Sequence, residues 1–142
     1  MWSTKINPPF AKSLIELNAS YGSGINDETL KKCVNLKILI AYDNDKITSC
    51  LPFANSLISV DASGISGIND DGLKYCYNLQ ILIADNNPKI TTCEPFANSL
   101  IELSAKKKCG INDEGIKNCH NLKKLDATRN KKITKKIENV IN

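Results

Sequence analysis

The sequence predicts an α/β solenoid, with a parallel sheet on one side and short helices and turns on the other, wound from six successive coils. Three observations predict it. The triplets Pro9-Phe10-Ala11, Pro52-Phe53-Ala54 and Pro95-Phe96-Ala97 recur at a strict spacing of 43 residues. Gly24/Gly67/Gly110, Cys33/Cys76/Cys119 and Asn44/Asn87/Asn130 recur at the same spacing. Each block then divides, because the Ser-Leu and Asn-Leu pairs ending at Leu14, Leu36, Leu57, Leu79, Leu100 and Leu122 lie alternately 22 and 21 residues apart. Three blocks without an insertion mean that the length of the unit is under geometric constraint.

The strands are read from a spacing of two. Three residues after each of those leucines stands an aliphatic residue (Leu17, Leu39, Val60, Leu82, Leu103, Leu125), and two further on an alanine (Ala19, Ala41, Ala62, Ala84, Ala105, Ala127). Side chains two apart on a strand share a face, so both members point inward while their neighbours point outward. A unit of this length cannot bury its apolar stripe alone. Stacking strands about 4.8 Å apart merges the stripes into one core.

The returns differ between odd and even units. Asn26-Asp27, Asn69-Asp70 and Asn112-Asp113 precede Leu30, Leu73 and Ile116 as helix caps, which predicts a short helix in each odd return. In the even returns Pro52 and Pro95 follow a Lys-Ile-Thr segment and predict a turn or a single 3₁₀ turn. The repeating cysteines close the odd returns, where a small apolar side chain fits. Residues 13–130 thus form the six units, residues 1–12 an amino-terminal cap built on Trp2, Ile6, Pro8, Pro9 and Phe10, and residues 131–142 a closing amphipathic helix with Ile133, Ile137, Val140 and Ile141 at helical spacing. Caps are needed because end coils otherwise expose core and strand edges.

The units resemble leucine-rich repeats, whose pattern is L-x-x-L-x-L-x-x-N/C-x-L, with alanine here in the last strand slot. The odd units, such as Gly24-Ile25-Asn26-Asp27 running on to Leu30 and Cys33, resemble the cysteine-containing subfamily known from F-box proteins. The even units carry Asn44, Asn87 and Asn130 where the family's asparagine ladder sits. In the odd units the same count reaches Gly22, Ile65 and Lys108, so the ladder is expected to be interrupted there. The resemblance implies a right-handed horseshoe arc with the sheet on its concave face, and protein binding as the usual activity.

Composition narrows the function classes. The 142 residues are 42% hydrophobic and 24% charged, ordinary values for one soluble domain, and no apolar run reaches the length of a membrane span. The opening residues contain no apolar stretch of the secretory kind, so a cytoplasmic setting with six free thiols is expected. The net charge of +4 conceals an asymmetry: residues 1–94 carry 8 basic and 10 acidic groups, residues 95–142 carry 11 and 5.

No set of residues has the pattern of a catalytic, metal or cofactor site, and a non-enzymatic chain without cofactor is expected. The single histidine, His120, follows Cys119, but triad chemistry pairs such residues across a fold and not along the chain. Its counterparts, Val34 and Tyr77, show that the slot tolerates varied side chains. Cys109, Cys119 and His120 lack the paired spacing of a zinc site. Gly22-Ser23-Gly24 lacks the remainder of a phosphate loop and is read as a turn. Equivalent cysteines, two units apart, would stand about 10 Å from each other, beyond disulfide reach.

The outward strand positions can be listed coil by coil: Glu16/Asn18, Ile38/Ile40, Ser59/Asp61, Ile81/Ile83, Glu102/Ser104 and Lys124/Asp126, followed by Ser20, Tyr42, Ser63, Asp85, Lys106 and Thr128. Four isoleucines and Tyr42 on the solvent side of a sheet are what an interaction surface looks like. Asp43 and Asp85 toward one end and Lys106, Lys107, Lys108, Lys124 and Arg129 toward the other are expected to give the face a charge gradient. The candidate binding residues are therefore Ile38, Ile40, Tyr42, Ile81, Ile83, Asp85, Lys106 and Lys124. The partner is expected to be a protein, including a second copy of this chain as a homodimer. An F-box-like or effector adaptor is one alternative, and an acidic ligand on the lysine-rich last block another, with nucleic acid or membrane the weaker partners.

Overall fold

The computed structural model describes residues 8–135. Six three-residue strands, β1 (Glu16–Asn18), β2 (Ile38–Ile40), β3 (Ser59–Asp61), β4 (Ile81–Ile83), β5 (Glu102–Ser104) and β6 (Lys124–Asp126), form one parallel sheet in chain order. The register is in phase throughout, so Leu17, Leu39, Val60, Leu82, Leu103 and Leu125 stand in one row. Beyond the strands the ladder continues through the alanines: Ala41 N–H donates to Asp61 O at 2.8 Å and Ala84 N–H to Ser104 O at 2.8 Å. The alanines of coils one to five are buried, and Ala127, in the last coil, is half-buried. A larger side chain in that row would hold the returns away from the sheet.

The returns take the forms that their caps and prolines predict. The first block opens on a short helix, α1 (Pro8–Ala11). Helices α2 (Asp27–Leu30), α3 (Asp70–Leu73) and α4 (Asp113–Ile116) begin at Asn26, Asn69 and Asn112, whose side chains accept from the backbone N–H three residues on. Single 3₁₀ turns span Leu51–Phe53 and Glu94–Phe96, the counterparts of α1, each with proline in its first turn. Phe53 and Phe96 fill the interior between sheet and returns, whereas Phe10 at the equivalent place is 65% exposed. Of the segment expected to form the closing helix, the described residues 131–135 are a turn followed by irregular backbone, with Ile133 half-buried against the core. Ile137, Val140 and Ile141, like Trp2 and Ile6 of the amino-terminal cap, lie outside the described residues.

Adjacent coils are stitched by side chains at fixed slots. Asn44, Asn87 and Asn130 are buried, and each donates through Nδ2 to two backbone carbonyls of the preceding coil, Ala62 and Ile68 in the case of Asn87. Each also accepts from the N–H two residues later. From the second coil on, the asparagine or serine before the leading leucine does similar work: Asn35 Nδ2 donates to Lys12 O at 2.7 Å, and Ser56 Oγ to Leu36 O at 2.7 Å. On the outside, the carboxylates of Asp27, Asp70 and Asp113 accept from the backbone and hydroxyl of Thr48, Thr91 and Thr134 one coil on.

In the odd units the polar slot lies one residue later than the sequence count places it. Ser23, Ser66 and Cys109 point inward there, not Gly22, Ile65 and Lys108; Ser66 and Cys109 are fully buried, while Ile65 and Lys108 are exposed. The shift arises at the strand exit. A left-handed residue follows the alanine by two in every coil (Tyr21, Asp43, Gly64, Asn86, Lys107, Arg129), and the longer odd coils spend their extra residue immediately after it. Serine still serves the backbone, as Ser23 Oγ accepts from Ile25 N–H at 3.3 Å.

All six cysteines are free. The sequence count considered equivalent cysteines, but the coils bring inequivalent ones together. Cys50 lies beside Cys76, and Cys93 beside Cys119, across neighbouring returns. The neighbouring thiol, with burial, pushes Cys50 and Cys93 well above the usual thiol range.

Glycine sets the distance between returns. A Cβ on Gly67 would lie 2.5 Å from Asp45 O and 2.7 Å from Ile47 O, both backbone atoms that cannot swing aside. Gly67→Ala is therefore expected to cost about 1–3 kcal/mol in urea unfolding, whereas Gly22→Ala, with nothing within 4 Å of the added atom, stays within about 0.5 kcal/mol. Asn87→Ala leaves two buried carbonyls without their donor and is expected to cost about 3 kcal/mol in the same assay. The Asp113 carboxylate, held below its ordinary range first by the Thr134 hydroxyl, adds stability that is present above the unfolded-state value and is lost as pH falls through the lowered folded-state value. Thr134→Val should move the Asp113 titration, followed by carboxyl NMR, back toward the ordinary range.

Candidate functional site

The sheet has one side on the core and one open. On the open side β2 and β4 each contribute Ile-Leu-Ile, so Ile38, Ile40, Ile81 and Ile83 lie outward while Leu39 and Leu82 are fully buried between them. The four isoleucines are half-buried and not fully exposed. Strands at about 4.8 Å spacing bring the side chains of β1, β3 and β5 against their flanks. In register with them stand Ser59 and Asp61 on β3, and Glu102 and Ser104 on β5. Two apolar ridges thus run across a polar sheet. The third block breaks the pattern, because the slots of Ile81 and Ile83 become Lys124 and Asp126.

Aromatic and charged groups cluster where the strands exit. Tyr42 meets Tyr21 edge to face, ring centroids 5.2 Å apart. The Asp43 carboxylate beside Tyr42 raises its hydroxyl above the usual value, with Tyr21 adding to the shift. Lys106 Nζ stands between Asp85 at 3.8 Å and Asp126 at 3.5 Å. Asp85 Oδ1 also accepts from Ser104 Oγ and from Lys106 N–H, at 2.7 and 2.9 Å. Asp85 and Lys106 neutralise one another, so the predicted charge gradient is reduced to Asp43 at one end and, among the described residues, the unpaired Lys107, Lys108, Lys124 and Arg129 at the other.

Two shallow depressions lie on this face. One, of about 370 Å³, is bounded by Tyr42, Asp61, Ser63, Ile83, Asp85 and Lys106, with Asn86 and Lys107 at its margin. The other, of about 220 Å³, runs between β4 and β6 past Ile81, Ile83, Glu102 and Lys124. All eight predicted binding residues thus lie on the open side, with Ile38 and Ile40 on the neighbouring ridge.

A second apolar surface was not visible in the repeat pattern. Val34, Leu51, Tyr75 and Tyr77 are 43%, 59%, 45% and 58% exposed and line a groove of about 610 Å³ on the return side. Tyr75 and Tyr77 meet edge to face, and Lys74 Nζ lies 5.2 Å from the Tyr75 ring. One block later Leu51, Tyr75 and Tyr77 are replaced by Glu94, Asn118 and His120, where Asn118 Nδ2 donates to the Glu94 carboxylate. The signal available in sequence was that divergence between blocks at slots the fold leaves free.

His120 is exposed, and the half-buried Cys119 thiol is engaged by Cys93. Among the described residues no group of three or more histidine, cysteine or carboxylate side chains is placed to hold a metal ion.

No protein-family model matches the chain, and no curated protein matches it. Among solved structures, an internalin (inlF) from Listeria monocytogenes superposes with a TM-score of 0.56 at 15% identity, over 87% of this chain and 50% of the internalin chain. The fold is a leucine-rich-repeat solenoid. At that identity the likeness concerns the fold alone, and the present chain spans half the length of that internalin chain.

Proposed function

We propose that this leucine-rich-repeat chain is a non-enzymatic interaction module that binds a protein, or a second copy of itself, through the open face of its sheet. The observation that supports this reading is the pair of isoleucine ridges, Ile38/Ile40 and Ile81/Ile83, between polar strands. Nothing in the fold requires isoleucine there, since the same slots in the third block hold Lys124 and Asp126 within the same register. Apolar side chains that the fold does not need, grouped on one face, are favourable only when covered. The odd units are read as the cysteine-containing type, and a cytoplasmic setting, in keeping with six free thiols, belongs to the same proposal.

An acidic ligand on the last block is less favoured, because Lys106 is already flanked by two carboxylates. The groove of Val34, Leu51, Tyr75 and Tyr77 favours a second contact surface on the return side, used together with the open face or independently of it.

The double variant Ile40→Asp/Ile83→Asp is expected to cost about 1–2 kcal/mol of stability while leaving the fold in place. It should abolish the self-association measured by light scattering, or the capture of the partner retained by the unmodified chain. Association and capture that survive both substitutions overturn the open-face reading.

A further inference from the structure

We propose that the depression around Ser63 receives a basic side chain, lysine or arginine, from the protein partner. This rests on the open-face reading and names the chemistry of its anchor. Ser63 is 5% exposed, and its Oγ is a buried side-chain polar atom without a hydrogen-bond partner among the described residues. It lies in the wall of the 370 Å³ depression. In the same slot of other coils the hydroxyl is satisfied two residues back: Ser20 Oγ donates to Asn18 Oδ1 at 2.7 Å, and Thr128 Oγ1 to Asp126 Oδ1 at 2.6 Å. A buried hydroxyl with nothing to bond costs stability, so one that lines an open depression is matched to a group from outside.

The surrounding charges select a cation. Asp61 Oδ1 accepts from Ser63 N–H at 3.0 Å, and the Asp61 carboxylate takes part in no ion pair among the described residues. The nearby Lys106 is held between Asp85 and Asp126, and Lys107 is exposed at the margin where water solvates it. Tyr42 supplies an aromatic wall of the kind that attracts an ammonium or guanidinium group. Gly64 leaves room there first for the Asp43 carboxylate, whose Oδ1 an added Cβ would approach to 1.9 Å, and then for the edge of Tyr42, 3.3 Å away at Cε2. At the matching left-handed position every other coil has a side chain. A cation placed here would meet the free carboxylate of Asp61, and would donate to Ser63 Oγ once that buried side chain turns toward the depression, while the stem of its own side chain lies along Ile83.

The test is amide NMR titration of the whole chain with Ac-Leu-Arg-Leu-NH2, with glutamine and glutamate peptides of the same length as controls. The arginine peptide should give saturable shifts at Ser63 and Gly64. Binding should weaken by about tenfold for the glutamine peptide, and equally for the arginine peptide on the Asp61→Asn variant. The introduced amide retains an oxygen that can accept from Ser63 N–H, so this variant removes the charge and not the turn. The proposal is overturned if the glutamate peptide binds as well, if Ser63 and Gly64 do not shift, or if Asp61→Asn binds unchanged. Loss of partner capture in Ile40→Asp/Ile83→Asp together with unchanged arginine binding by Asp61→Asn would refute the cation anchor and keep the open-face reading. Arginine binding that depends on Asp61, with capture unaffected by the isoleucine substitutions, would keep the cation anchor and refute the isoleucine ridges as the partner contact.

Discussion

Each coil of this protein must bring its backbone back to hydrogen-bonding distance of the coil before it, with the same side chains facing inward. All other features of the structure depend on that closure. Parallel strands pair one residue against one, so a single extra residue in the strand would turn the inward row outward and put leucine in water. The alternating lengths of 22 and 21 residues are tolerated because the odd coils place their additional residue after the strand, beyond the left-handed turn, where no pairing is disturbed. The Leu and Ala rows remain in register across all six strands.

Closure also explains why the side chains between coils are so uniform. A return that bends back on itself leaves carbonyls pointing into the interior, and buried carbonyls need donors. Asn44, Asn87 and Asn130 supply two N–H groups each from one amide, which serine and cysteine cannot do. The odd coils can use Ser23, Ser66 and Cys109 because each packs beside an even coil that carries the asparagine. Glycine at positions 67, 72, 110 and 115 then lets the returns approach until backbone meets backbone. In the first block the counterpart of Gly72 is Thr29, whose hydroxyl accepts from Asn26 N–H and so closes the cap of its own helix.

The uniform scaffold throws the exceptions into relief. Three blocks with the same backbone act as controls for one another. A slot that holds isoleucine in two and lysine or aspartate in the third is not shaped by folding. By that criterion the open face (Ile38, Ile40, Tyr42, Ile81, Ile83) and the return-side groove (Leu51, Tyr75, Tyr77) are the places where the molecule departs from its own repeat. The unpaired hydroxyl of Ser63, satisfied in two other coils and not in this one, is the same kind of departure at the scale of one atom.

The strands were legible in the sequence to the residue, because periodicity is a property of the chain and closure converts it directly into register. The six strands occupy the six predicted outward pairs, and the caps Asn26, Asn69 and Asn112 begin the predicted helices. The side of the sheet on which Ile38 and Ile83 lie follows from the same alternation. What a periodic count cannot register is contact between unlike positions of neighbouring coils. The pairing of Cys50 with Cys76, the ion pairs that quench Lys106 and Asp85, the inward turn of Ser66 in place of Ile65, and the joining of Val34, Leu51 and Tyr77 into one groove all depend on how one return lies across the next. Those distances belong to three dimensions, and the tertiary structure alone decided them.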